Sequence, residues 1–219
     1  MSLVNDTAQV IPRLRGWLHA IASPVALVAG LVLIILAPTR PAGIAATVYA
    51  GTSVLLFTAS AIYHRGRWTP AAKRVLRRID HANVYLFIAG TYTPFGVLAL
   101  HGRIRVIVLT AVWTAALLGA TFRVLWLGVP RWLYVALYIA LGWTAAFVVP
   151  ELLHGAGVAA FTLIAVGGAV YTGGAVVYAM RRPNPSKKWF GFHEVFHLCT
   201  IVAFVCQYVA TSLVVYRAA

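Results

Sequence analysis

Four positions in this 219-residue chain place imidazoles and a carboxylate where metal chemistry could use them: His64, Asp80, His193 and His197. His193 and His197 are four residues apart, so on a helix their rings lie on one face. With Glu194 between them they spell H-E-x-x-H, the zinc-protease pattern of two metal-binding histidines and a general base. A third imidazole, His64, would complete a three-histidine zinc site with its fourth position open, as catalytic zinc requires. Zinc there would make a water acidic enough to attack a carbonyl. Asp80 could orient that water and accept its proton, or support the metal's charge from behind the ligands. Ser60, one turn before His64 in "SAIYH", offers a hydroxyl to a ligand or a developing oxyanion. A serine in a membrane helix can instead bond its own backbone. An intramembrane metalloprotease would need Glu194 as base and an aspartate deep in a span as third ligand. The chain offers His64 instead, so Glu194 is expected to act locally, as a first-turn carboxylate near the positive end of the last helix.

The elements that must position these residues follow from composition. The chain is 62% hydrophobic and 10% charged, and its mean hydropathy is +0.86. An ordinary soluble domain carries about 25% charged residues, so the expected class is an all-α polytopic membrane protein. Apolar runs of about 20 residues cross a bilayer as helices. Seven such runs occur, at 17–37, 43–64, 79–100, 104–125, 131–149, 156–180 and 190–216. They are separated by "APTRPAG", the basic loop 65–78, the tight turns "HGRIR", "LGVPR" and "PELLHG", and "RRPNPSKK". Unpaired strand edges in lipid exclude open β-structure, and the runs are too long for barrel strands. The run from Trp17 is also too long for a signal peptide and reads as an anchor that follows a tail at 1–16. The net charge of +14 sits in the gaps between apolar runs, where it serves orientation and anionic-lipid contact; a nucleic-acid partner is not implied. With the N-terminus cytoplasmic, only Arg40, Arg103, Arg105 and Arg217 face outward and the other fourteen basic residues face inward. N-in and C-out therefore follow from the positive-inside rule. The expected location is a bacterial inner membrane, with a membrane lipid as ligand or substrate.

This topology brings the chemistry together. His64 ends the second span at the inner face, Asp80 opens the third there, and His193 and His197 open the seventh there. Asp6 falls in the tail and Glu151 in an outer turn, as do His101 and His154, which are expected to be solvated. His81 should point away from Asp80, toward a loop or a phosphate. Cys199 and Cys206 lie off the histidine face of one helix, cannot pair with each other, and read as packing residues beside the small-residue run "GGAVYTGGA".

Three segments, "SAIYH", "RRIDHANVYLFIAGTYTPF" and "GGAVYTGGAVVYAMRRPNPSKKWFGFHEVFH", resemble the signature blocks of the bacterial hemolysin III family, which groups with the progestin and adipoQ receptors. The resemblance implies seven helices with the N-terminus inside, and zinc held by His64, His193 and His197. It places Asp80 and Ser60 beside the metal, and it implies a hydrolase related to ceramidases that cleave lipid amides. Two other functions compete: a receptor-like or lipid-homeostasis protein with zinc as a structural clamp, and a lytic membrane protein. The last would require a polar stripe along a span, which the sequence lacks.

Overall fold

The structure, a computed structural model, describes residues 11–126 and 128–218; Asp6 and most of the expected tail lie outside the described residues. The described residues form seven α-helices: α1 (Trp17–Ile35), α2 (Arg40–Arg65), α3 (Pro70–Leu98), α4 (Gly102–Leu125), α5 (Arg131–Gly142), α6 (Val149–Met180) and α7 (Phe192–Tyr216). A 3₁₀ segment, Trp143–Val148, joins α5 to α6. Among the described residues there is no β-sheet, only an isolated bridge between Ser186 and Phe190.

Among the described residues, five segments are long and apolar enough to cross a membrane: Trp17–Ile35, Arg40–Arg65, Gly102–Leu125, Arg131–Met180 and Phe192–Tyr216. The protein is a polytopic helical membrane protein. The runs expected at 131–149 and 156–180 fall within one 50-residue segment. The run at 79–100 lies in α3, which begins with basic turns and carries Asp80, His81 and Asn83. The bundle is apolar outside, with Leu125 and Phe147 widely exposed, and its interior holds polar groups such as Ser60, Asn83 and Gln207.

Two expected loops are helical. The basic loop at 65–78 shortens to four residues, because Thr69 caps α3 by accepting the Ala72 N–H at 3.2 Å and Pro70 follows at the first helical position. Lys73, Arg74, Arg77 and Arg78 therefore ride the first turns of α3. "PELLHG" is helical as well: Pro150 opens α6, and the break comes at Gly157, whose φ of +84° suits glycine.

Neighbouring helices pack side by side, α1 on α2, α2 on α3, α3 on α4 and α6 on α7, and α7 also meets α1, α2 and α3. α5 runs antiparallel to the later part of α6: Arg131 donates to the Tyr178 carbonyl at 3.2 Å and Trp143 to the Thr172 hydroxyl at 3.0 Å. Glycines set the α6–α7 spacing. A Cβ on Gly174 would stand 2.7 Å from Cys199 Cβ, and one on Gly167 would stand 3.3 Å from Cys206 Cβ. Both free cysteines are thus packing residues in grooves cut by the small-residue run.

Candidate metal centre

The last turn of α2 carries His64, and the first turns of α7 carry His193 and His197. The two helix ends meet. His64 Nε2 and His193 Nε2 are 3.1 Å apart, and one ring nitrogen from each of the three histidines lies within 4.8 Å of the others. Three imidazoles converging at that spacing are compatible with a metal ion. Asp80 Oδ2 stands 3.9 Å from His64 Nε2, beyond hydrogen-bond range. Ser60 is buried next to Asp80, and both line one cavity with His193 and His197. Beyond this polar end the cavity wall is largely apolar, with Leu56, Val84, Phe87 and Phe95 among its residues. On α3 it extends from Asp80 to Phe95, a helix rise of about 22 Å.

Glu194 is occupied elsewhere. Its Oε2 accepts the Gly191 N–H at 2.8 Å and its Oε1 pairs with Arg15. Glu194 is almost fully buried in this arrangement, so the glutamate of the H-E-x-x-H spelling caps its own helix and anchors the segment before α1. The described part of the expected tail is accordingly docked. The Arg13 and Leu14 N–H groups donate to the Lys188 and Trp189 carbonyls at 3.0 and 3.3 Å. Arg13 also lies over the Trp189 ring, as Arg65 does over Trp17. Gly16 closes the join: its φ is +80°, and a Cβ there would be 2.7 Å from His64 Cβ.

Two further groups at this end escape sequence reasoning. The expectation of a loop-facing or phosphate-facing His81 fails. Its Nδ1 faces the buried Arg123 guanidinium and its carbonyl accepts the Tyr138 hydroxyl at 2.9 Å. Arg123, expected among the interfacial basic residues, is fully buried over the Tyr134 ring and donates to the Trp126 carbonyl. A guanidinium only donates, so Nδ1 is the acceptor and the ring proton of a neutral His81 sits on Nε2. The second group is His19 on α1. It is 3% exposed, and its ring stacks on His197 with centroids 3.7 Å apart and planes 8° apart. The depth argument that selects His64, His193 and His197 also applies to His19, in the first turn of α1 at the same end of the bundle. By contrast His101 and His154 are exposed, although His154 lies within α6 and not in the turn expected for it.

Similarity to known proteins agrees with this arrangement. A family model described as "Haemolysin-III related" matches residues 8–208. The chain is 32% identical over 165 residues to Hemolysin-3 of Bacillus cereus, covering 73% of this chain and 74% of the relative. It is 31% identical over 149 residues to the Hemolysin-3 homolog of Bacillus subtilis (strain 168), covering 67% and 68%. The matched region takes in His64, His193 and His197, and the chain belongs to the haemolysin-III-related family.

Proposed function

We propose that this protein is a zinc-dependent hydrolase of a lipid amide or ester, working at the cytoplasmic side of a bacterial inner membrane. In this reading residues 17–216 form a seven-span domain with the N-terminus inside and the C-terminus outside. The distribution of basic residues supports the orientation, since fourteen of eighteen fall on one side. The observation that carries the reading is the convergence of three imidazoles with a carboxylate 3.9 Å from one of them, at the polar end of an apolar cavity.

The donor set suits zinc. Two nitrogens bound at about 2.0–2.1 Å in a tetrahedron stand roughly 3.3–3.4 Å apart, close to the 3.1 Å between His64 and His193. His64, His193 and His197 would hold the ion, which when bound acidifies a water and polarises a carbonyl oxygen. Asp80, 3.9 Å from His64 Nε2, would take and return a proton at its Oδ2. Ser60 offers its hydroxyl to Asp80 or to the substrate carbonyl. The apolar wall receives an acyl chain and keeps water from the reacting end. The basic turns at the start of α3 attract an anionic headgroup.

A structural clamp is the competing reading, favoured by the way the histidines tie α2 to α7. Metal analysis of purified protein prepared without chelators separates the readings when combined with assays of variants. Wild type should carry about one zinc, and His64→Ala and His193→Ala should lose it. Asp80→Ala should keep the zinc and lose hydrolysis of a fluorescent amide-lipid panel by about 10²–10⁴-fold. Protein without zinc rejects the site, and undiminished hydrolysis by Asp80→Ala rejects the role of Asp80.

A further inference from the structure

We propose that His19 is a positioning residue of this site: it braces the His197 ring and presents a ring nitrogen to an oxygen of the ligand held in the cavity. The inference rests on the metal reading above, and its argument begins with burial. His19 is 3% exposed, and neither Nδ1 nor Nε2 has a hydrogen-bond partner among the described residues. Burying a polar group without a partner is unfavourable, because the lost hydration is not replaced. Phenylalanine would pack here without that cost. The His197 backbone carbonyl lies toward the ring and can serve one nitrogen at most, so the other calls for a partner from the cavity. The ring lines the cavity beside Ser60, Asp80, His193 and His197; neither nitrogen has open surface in this arrangement, so a ligand oxygen reaches one only when the ring turns.

The ring geometry fixes the kind of role. Phe57 meets His19 edge-on, with centroids 5.1 Å apart and planes at 76°, while His197 lies parallel on it. Imidazole lone pairs lie in the ring plane. Two parallel rings 3.7 Å apart direct them side by side, so His19 and His197 do not converge on one ion. His19 thus stands outside the converging set of His64, His193 and His197 and acts through His197 and through the ligand. The chain holds α1 in register for this: Gly16 abuts His64, and Arg15 is paired with Glu194 at the start of α7. The ligand chemistry matched to a neutral ring N–H is a carbonyl or carboxylate oxygen, as in an acyl lipid.

The test uses the full chain in detergent, loaded with cobalt(II) and titrated with acetohydroxamate as a carbonyl-oxygen probe, with the visible cobalt band as readout. His19→Phe keeps the stack and removes both nitrogens. It should hold one cobalt with the wild-type band but bind acetohydroxamate about tenfold more weakly, the loss of one ordinary hydrogen bond. His19→Gln, which restores a donor without the ring, should recover part of that affinity. His19→Ala, lacking both brace and donor, should also weaken cobalt binding by about 10-fold or more. His19→Phe titrating like wild type overturns the inference and leaves the metal reading standing. Wild-type protein that takes up no cobalt overturns both.

Discussion

Glu194 and His193 are adjacent in sequence and serve different partners, because consecutive residues on a helix point about 100° apart. His193 turns to His64, whereas Glu194 turns to Gly191 and Arg15. The H-E-x-x-H spelling therefore contains two of the three clustered histidines and one helix cap. Glu194→Gln should lower the melting temperature by roughly 3 °C or more, since the Arg15 partner loses its counter-charge. The same variant should retain its zinc. Loss of hydrolysis without loss of thermal stability would instead make Glu194 the base. Arg123 and His81 show the same separation of spelling from role: their contact joins α4 to α3, 42 positions apart, and no local pattern encodes it.

At the scale of elements, the site depends on how closely α7 is held. The cysteines of α7 sit in grooves at Gly167 and Gly174, and the nearer groove lies about one turn and a half from His193. Gly174→Leu should push α7 off α6, destabilise the fold by about 1–3 kcal/mol and reduce zinc per protein. Gly173→Leu is the control, because a Cβ at Gly173 meets nothing within 4 Å. Equal zinc content in the two variants would show that α6 does not set the position of the histidines. The helix starts were partly legible, as at Thr69-Pro70. There the cap and proline convert an expected basic loop into helix, and the loop reading gave charge too much weight against capping.

For the whole molecule, an apolar exterior, with polar groups such as Ser60, Asn83 and Gln207 confined to an otherwise apolar interior, follows from a solvent that is lipid around the bundle and water only at its ends. The proposed orientation can be checked with single cysteines in a background where Cys199 and Cys206 are alanine. His154→Cys should react with an impermeant maleimide on intact cells, and Ser186→Cys only after the membrane is opened. The opposite pattern would reverse the topology and move the histidines to the outer face.

The sequence alone determined the all-helical membrane class, the haemolysin-III-related resemblance and the grouping of His64, His193 and His197. Hydropathy, charge bias and i, i+4 spacing are properties of the chain itself. Tertiary structure decided which polar residues share the site's interior. It stacked His19 on His197, turned His81 to Arg123 and drew Glu194 away to Arg15. Those outcomes depend on the rotation of each helix about its axis, and packing against neighbours sets that rotation. The feature that leads furthest, a buried imidazole stacked on a histidine of the candidate metal centre, is therefore one that spacing does not encode.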